Sequence, residues 1–370
     1  MTGARHLYVH LPFCARRCGY CDFVTAVGRR SDHARYVDDL LAELELERGL
    51  LAPRLETVFL GGGTPTFTES RALARLLAGL PGAEEVTVEA NPETVTPELA
   101  RLLRGHGVNR VSLGAQSFEP GLLRVLDRSA GPDDVRRAVA VLRDAGFGNV
   151  SLDLVYGIPG QTRAALERDL AAAVALEPEH LSAYELEAKP GTRFTRAHGA
   201  ELERQAEAME AYFELVVGAL EAAGYRWYET ASFCRRPELV GGRDLRARHN
   251  LAYWRGRDYL GLGVGAVSTI GDRRWRNAPS LAGYAAALAA GRRPPREPEE
   301  LTRAVREAER VLLGLRLDEP LPLAGVEHVL DPAGLERAER LGLARRERGG
   351  LALTARGRFL GDAVTADLLA

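Results

Sequence analysis

Cys14, Cys18 and Cys21 lie in the run Cys14-Ala15-Arg16-Arg17-Cys18-Gly19-Tyr20-Cys21, with three and then two residues between the thiols. Spacers of that length let a tight loop turn its sulfurs towards one small inorganic centre. An iron–sulfur cluster normally takes four protein ligands. Three thiolates leave one iron open, and an open metal position is where a substrate or cofactor can be engaged. A structural zinc site would need a fourth donor close by. The nearest one, His10, falls inside the apolar run Leu7–Leu11, which reads as a strand. Three unrelated buried cysteines are the remaining alternative, and the spacing favours the cluster. Cys234 stands alone and reads as a packing residue rather than a ligand.

A loop of this kind needs a rigid frame, and the chain supplies one in repeating units. Short apolar runs occur at Leu7–Leu11, Thr57–Leu60, Val86–Glu89, Val111–Leu113, Val150–Val155 and Leu181–Tyr184. Between them lie stretches with helical periodicity at Tyr36–Leu46, Ala72–Leu80, Pro97–Leu103, Asp133–Ala145 and Thr162–Leu176. Thr96 before Pro97 reads as a helix N-cap with proline at the first helical position, and Gly105 and Gly146 read as stops. Alternation of this kind predicts α/β architecture, a parallel sheet wrapped by crossover helices, and six units suggest an open or partial (β/α)6 barrel.

In such sheets ligands bind beyond the carboxyl ends of the strands, so the residues there are the candidates for chemistry. The first run leads into the cysteine loop and the second into Gly61-Gly62-Gly63-Thr64-Pro65-Thr66. Glu89-Ala90-Asn91-Pro92 ends the third, Gly114-Ala115-Gln116-Ser117 follows the fourth, and the fifth contains Asp153 and runs into Tyr156-Gly157-Ile158-Pro159-Gly160. Tyr184 and Glu185 end the sixth. Successive glycines let a backbone approach a ligand closely with its amides uncovered. The triplet lacks the lysine and hydroxyl residue of a nucleotide-binding P-loop.

At 370 residues the chain is long enough for more than one domain. Its apolar content of 46%, charged content of 27% and net charge of -2 are ordinary for a globular protein and give no global reason to expect nucleic acid as a partner. The basic charge is almost all arginine, with Lys189 the one lysine. Clustered thiols without a disulfide framework, no leader pattern and no apolar run near about 20 residues point to a reducing, cytoplasmic setting.

Beyond the repeats, Glu201–Ala223 reads as one long helix and Tyr225–Glu229 as a strand. A glycine- and arginine-rich connection follows, containing His249-Asn250-Leu251-Ala252-Tyr253-Trp254, and the Arg- and Pro-rich segment Gly291–Pro298 reads as a linker. Arg303–Leu315 and Pro332–Leu341 read as helices, Leu351–Thr354 as a strand of a hairpin, and a last helix begins near Ala355. The expected organisation is a barrel over 1–230, a small α+β extension over 231–295 and a winged-helix-like domain over 296–370. Nothing in that last region forms a basic recognition helix, so it reads as a packing or gating domain.

Taken together, Cys14, Cys18 and Cys21 resemble the cysteine motif of the radical S-adenosylmethionine superfamily, and Gly61–Thr66 resembles its glycine motif. The lead-in Tyr8–Phe13, Glu89–Pro92, Leu113–Phe118 and Asp153–Pro159 are similar to the branch that holds oxygen-independent coproporphyrinogen III dehydrogenase and the heme chaperones. The dehydrogenase carries another cysteine where this chain has Phe23, and an N-terminal extension where Tyr8 here is almost at the start. His249–Trp254 fits the His-Asn-x-x-Tyr-Trp motif of the chaperones. The resemblance implies a [4Fe–4S] cluster on the three cysteines and S-adenosylmethionine against Tyr8, Gly62, Gly63, Thr64, Glu89, Gln116, Arg128 and Asp153. It implies heme at His249, Asn250, Tyr253 and Trp254, with Arg246, Arg248, Arg255 and Arg257 near its propionates. The implied partners are heme, heme-accepting respiratory proteins and an electron donor for the cluster, with no nucleic acid; radical decarboxylation of coproporphyrinogen III is the enzymatic alternative. Relatives often place histidines just after Arg128 and at the position of Val267; this chain has Ser129-Ala130 and Val267 there.

Overall fold

A computed structural model describes residues 3–189, 192–347 and 349–369. Twelve strands form one mixed sheet. In chain order they are β1 His6–Leu11, β2 Leu55–Gly62, β3 Ala83–Ala90, β4 Arg110–Gln116, β5 Val150–Tyr156, β6 His180–Glu185, β7 Tyr225–Glu229, β8 Ser232–Arg235, β9 Tyr259–Leu262, β10 Val267–Ile270, β11 Arg273–Asn277 and β12 Arg296–Glu300. Their spatial order is β12-β11-β10-β9-β1-β2-β3-β4-β5-β6-β8-β7. β9 and β1 through β6 run parallel, and the strands beyond them on either side are antiparallel.

Six sequential parallel strands joined by helices are the expected (β/α)6 unit. The crossovers are α1 His33–Glu47, α2 Ser70–Gly79, α3 Pro97–Gly105, the pair α4 Pro120–Val125 and α5 Pro132–Asp144, and α6 Arg163–Val174. Thr96 caps α3 by accepting from the Leu99 amide at 3.2 Å, a contact of the kind that stabilises a helix by about 1 kcal/mol. The stop after α3 is Gly107, with φ +83°, two residues beyond Gly105, while Gly146 ends α5 at the same φ. Outward-facing residues of the strands, such as Leu7, Val9, Leu11, Val88 and Leu152, bury completely against the helices. Residues on the other face, His6, Thr57, Glu85, Arg110, Ser112, Ser151 and His180, are buried but polar. The inner face of the sheet is therefore a hydrogen-bonded interior rather than an apolar core.

Three segments differ from expectation. The long helix is two, α7 Arg193–Gln205 and α8 Met209–Ala222, joined by a tight turn over Ala206–Ala208; the break lets Phe194 and Gln205 bury on one side and Tyr212, Val216 and Leu220 on another. Arg296–Glu300, which overlaps the end of the segment Gly291–Pro298 read as a linker, is the edge strand β12. Its Arg-Glu-Pro-Glu-Glu sequence has no apolar alternation, and charge with proline is what keeps an edge strand from pairing with another chain. His249–Trp254 belongs to a short helix, α9 Arg248–Trp254, rather than a loop.

After α10 Leu281–Ala289, the chain forms α11 Arg303–Gly314, α12 Pro332–Arg340, α13 Ala355–Phe359 and α14 Gly361–Asp367 around a three-stranded antiparallel sheet of Leu321–Pro322, Ala344–Glu347 and Gly350–Leu353. This winged-helix-like unit has its own core, centred on Val311, Leu315, Leu351 and Leu368. Arginines fasten it to the large sheet. Arg226 grips Asp318 with bonds of 2.7 and 2.8 Å, Arg316 donates to Glu229 at 3.0 Å, and the Arg358 guanidinium lies 3.6 Å over the Trp227 ring. No helix among the described residues is long and apolar enough to cross a membrane.

Candidate functional site

The cysteine loop leaves the end of β1 and is clamped at its base. Phe13–Cys14 pairs with Ala26–Val27, and the Gly28 amide donates to the Cys14 carbonyl at 2.8 Å. Within the loop a turn brings the Cys21 amide to the Cys18 carbonyl, and Arg17 donates to the Cys21 carbonyl. Sequence spacing and these clamps put all three sulfurs on the wall of one cavity of about 440 Å³. Among the described residues no three His, Cys, Asp or Glu side chains converge as ligands of a single ion. A cubane cluster takes one thiolate per iron, so its ligands surround a volume instead of meeting at a point.

The glycine triplet builds the floor. A Cβ on Gly62 would sit 2.5 Å from the His10 ring and one on Gly63 would sit 2.7 Å from the Pro12 backbone, while Gly62 also has φ +111°. Only glycine allows β2 to end against β1 so closely. His10 is itself fully used: its Nε2 donates to the Val24 carbonyl at 2.8 Å, and Nδ1 accepts from the Tyr8 hydroxyl at 3.0 Å. It is not a fourth ligand for the thiols. Tyr8 lies beneath this ledge, stacked on Phe59, and does not line the cavity.

One hydrogen-bonded chain links two of the sulfurs. Thr64 Oγ1 donates to Cys14 Sγ at 3.6 Å and accepts from Asn91 Nδ2 at 3.1 Å. Asn91 Oδ1 accepts from Arg128 Nη2 at 2.9 Å, the same nitrogen donates to the Gly114 carbonyl at 2.8 Å, and Arg128 Nη1 donates to Cys18 Sγ at 3.5 Å. Burial alone would depress the Arg128 guanidinium, but the Cys18 sulfur and Tyr20 beside it hold it above its ordinary value. Burial raises the Cys14 and Cys21 thiols.

Across the cavity stand the carboxyls. Glu89 Oε2 accepts from the Gly62 amide at 3.1 Å, and burial, reinforced by nearby Asp153, pushes Glu89 up to about 8. Burial raises Asp153 too, against the opposing charge of Arg110 and hydrogen bonds from Ser182 and Ser112. Gln116 projects from a bulge in β4 with φ +65°, a backbone conformation uncommon outside glycine. Gly62, Gly63, Thr64, Glu89, Gln116, Arg128 and Asp153 all share the cavity with the three cysteines. Asn91 and Ser112 belong there too and went unnoticed as side chains in their own right. Asn91 could have been found from its place two residues beyond Glu89; Ser112, inside an apolar run, gave no such signal. Ser129, directly after Arg128, donates to Glu93.

The cavity can hold a cluster and a second ligand. Its volume lies in the range of small-molecule sites, three thiols with polar donors on two of them face it, and the glycine ledge leaves backbone exposed where a side chain would fill the space. A ligand with a carboxylate suits Arg128, and one with an ammonium or hydroxyls suits Glu89, Gln116 and Asp153.

α9 closes the opposite end of the parallel strands, its His249 lying against Thr57 and Phe59 of β2. His249 is 1% exposed. Its Nδ1 lies 2.7 Å from Thr57 Oγ1, its Nε2 lies 2.9 Å from the Tyr253 hydroxyl, and its ring stacks on Phe59. Burial, with the fields of His6 and Arg110, lowers it to about 3, so it is neutral. Neither nitrogen is free as placed. Tyr253 faces the same interior, Asn250 is half-buried on the helix, and Trp254 leaves this group to pack with Tyr228, Leu251 and Leu317 under the Arg316 guanidinium. The four motif residues therefore divide between two environments.

Residues 8–173 match the model of the radical SAM superfamily. A protein named heme chaperone HemW from Mycobacterium tuberculosis is 41% identical over 98% of this chain and 94% of its own length. One of the same name from Bacillus subtilis is 35% identical over 84% of this chain and 82% of its own. Among solved structures, coproporphyrinogen III oxidase (HemN) from Escherichia coli, described as a radical SAM enzyme, superposes with a TM-score of 0.79 and 24% identity, covering 99% of this chain and 90% of that one. The last likeness concerns the fold.

Proposed function

Because this chain belongs to the HemW family of the radical SAM superfamily, we propose that it is a cytoplasmic heme chaperone which holds a [4Fe–4S] cluster and S-adenosylmethionine and delivers heme to respiratory hemoproteins. The observation that carries the reading is identity to the HemW relatives along almost the whole chain, supported by three thiols and the glycine ledge around one cavity.

In this reading Cys14, Cys18 and Cys21 hold the cluster. Such a cluster supplies one open iron and, given an electron donor, an electron. Arg128 orients the cofactor's carboxylate, and its existing bonds to Asn91 and the Gly114 carbonyl fix the plane of the guanidinium before any ligand arrives. Glu89 and Asp153 face the cationic and hydroxyl parts, and Gly62 and Gly63 let the ligand lie against backbone. Thr64 and Arg128 hold the Cys14 and Cys18 sulfurs by hydrogen bonds. Heme is taken at the α9 end of the sheet, with Tyr253 moving off His249 Nε2 if the imidazole is to reach iron.

Anaerobic reconstituted protein, titrated with heme and incubated in parallel with coproporphyrinogen III, tests this reading. Stoichiometric heme binding without decarboxylated product is expected. Turnover of coproporphyrinogen III would replace the chaperone by the oxidase.

A further inference from the structure

Helix α6 buries an apolar face of Ala165, Leu166, Leu170 and Ala173, and Asp169 is buried on the same face. A carboxylate only 2% exposed has to be matched by hydrogen bonds. Asp169 Oδ2 accepts from the Ser117 hydroxyl at 2.7 Å and Oδ1 from the Phe118 amide at 2.6 Å, with Gln161 Nε2 donating to Oδ2 at 3.5 Å. Burial pushes its pKa up to about 6, so at neutral pH it is mostly ionised and both oxygens accept.

Ser117 and Phe118 follow Gln116 directly. The Ser117 amide donates to the Ala115 carbonyl at 2.8 Å across Gln116, whose φ is +65°. A three-residue turn with its centre at that φ is the rarer, strained γ-turn, and such a conformation persists only where its surroundings impose it. The Gln116 side chain lines the cofactor cavity and has no hydrogen-bond partner among the described residues, so its direction comes from the turn. Gln161 extends the same anchor to the end of β5. Its Oε1 accepts from the Gly157 amide at 2.8 Å, and its backbone carbonyl accepts from Tyr212 Oη at 2.7 Å and Gln205 Nε2 at 3.1 Å. The exits of β4 and β5, the strands that carry Gln116 and Asp153, are thereby tied to α6, α7 and α8. Asp169 itself does not line the cavity.

We propose that Asp169 is a positioning residue for the cofactor, holding through Ser117 and Phe118 the turn that aims the Gln116 amide into the cavity. The proposal rests on the S-adenosylmethionine reading of that cavity and extends it to a residue that never meets the ligand. Gln116 offers a carbonyl and an N–H to hydroxyl or amino groups of the ligand, and a turn relaxed to negative φ would point them elsewhere.

A double-mutant cycle on S-adenosylmethionine affinity, measured by equilibrium dialysis of the anaerobically reconstituted full-length protein, separates positioning from plain support of the fold. Asp169→Asn keeps the size and turns one acceptor into a donor, so at least one of the three groups that donate to Asp169 is left without its acceptor. Asp169→Asn and Gln116→Ala are each expected to weaken binding by about tenfold, the scale of a lost hydrogen bond, with iron and sulfide content kept. The double variant should bind no more weakly than Gln116→Ala alone. Unchanged affinity in Asp169→Asn, or losses that multiply in the double variant, would overturn the proposal and leave the cofactor reading standing. Should Asp169→Asn lose its cluster, Ser117→Ala removes one of the bonds to Asp169 and goes through the same cycle, judged by the same outcomes. Wild type that takes up the cluster but binds no S-adenosylmethionine would overturn the cofactor reading and the proposal together.

Discussion

Arg128 donates from one terminal nitrogen to Cys18 Sγ at 3.5 Å and from the other to Asn91 Oδ1 at 2.9 Å, so one guanidinium spans the distance between a thiol and the end of β3. Asn91 passes the connection through Thr64 to Cys14. The plane of the fork is thus set by protein groups, and a carboxylate ligand meets a donor that has already lost its rotamer freedom.

Arg128→Lys keeps the charge and loses the fork. Iron and sulfide content should stay near wild type, because the three cysteines are untouched, while S-adenosylmethionine affinity should fall by about tenfold, the usual scale for a lost charge-assisted bond. Equilibrium dialysis of the reconstituted variant measures it; unchanged affinity would remove Arg128 from the cofactor site.

Glu89 gives cofactor binding a pH dependence with a definite sign. Without ligand its pKa is pushed up to about 8 by burial and Asp153, so near pH 7 it is mostly protonated. A cationic ligand group beside it favours the carboxylate, so binding at pH 7 should release a proton, and affinity should rise with pH until it levels off above about 8. Calorimetry in two buffers of different ionisation enthalpy reads the proton directly. Glu89→Gln should bind more weakly at pH 9 and lose most of the pH slope; a slope unaltered in that variant would assign it to another group.

Gly62→Ala places a methyl 2.5 Å from the His10 imidazole at φ +111°. The ring cannot yield without breaking its bonds to Val24 and Tyr8. A loss of about 2–4 kcal/mol is expected from the clash and backbone strain together, with reduced cluster content. Denaturant unfolding and iron analysis follow the two effects. His10→Ala in the same chain should recover part of the stability, since it removes the clash and leaves the strain.

How much of this was legible in the sequence depended on what each segment buries. Strands β1 to β6 announced themselves because their outer faces pack on helices and read as apolar runs, and the strand-end rule then gathered Cys14, Thr64, Glu89, Gln116 and Asp153 onto one rim. The edge strand β12 was hidden because solvent-facing edges select charge and proline. The surroundings of His249 were hidden for a different reason. Thr57 and Tyr253, 192 residues before it in one case and four after it in the other, occupy its nitrogens, and only the tertiary fold brings Thr57 there. The arginines, which supply almost all of the basic charge, include the ties between the C-terminal unit and the sheet, and those depend on partners far away in the chain.

Glu43 offers a stability test away from the cofactor cavity. It is fully buried on α1, where it accepts from Tyr284 Oη at 2.6 Å, Asn277 Nδ2 at 2.7 Å and the Gly263 amide at 2.8 Å. These bonds tie α1 to the β9–β11 side of the sheet and to α10. Burial, opposed by those three bonds, raises its pKa to about 7. The folded protein therefore holds this proton more tightly than the unfolded chain, whose carboxyl titrates near 4.5. The sign follows from linkage: Glu43's contribution is fully present below about pH 4.5 and is lost as pH rises through about 7. A shift of that size is worth about 3 kcal/mol. The difference in unfolding free energy between wild type and Glu43→Gln, measured in urea at pH 5 and pH 8, should move by that order against wild type at the higher pH. A difference independent of pH would mean that Glu43 is ionised throughout and held by its three donors. Glu43→Ala should be worse than Glu43→Gln at either pH, because it strands all three donors in the core.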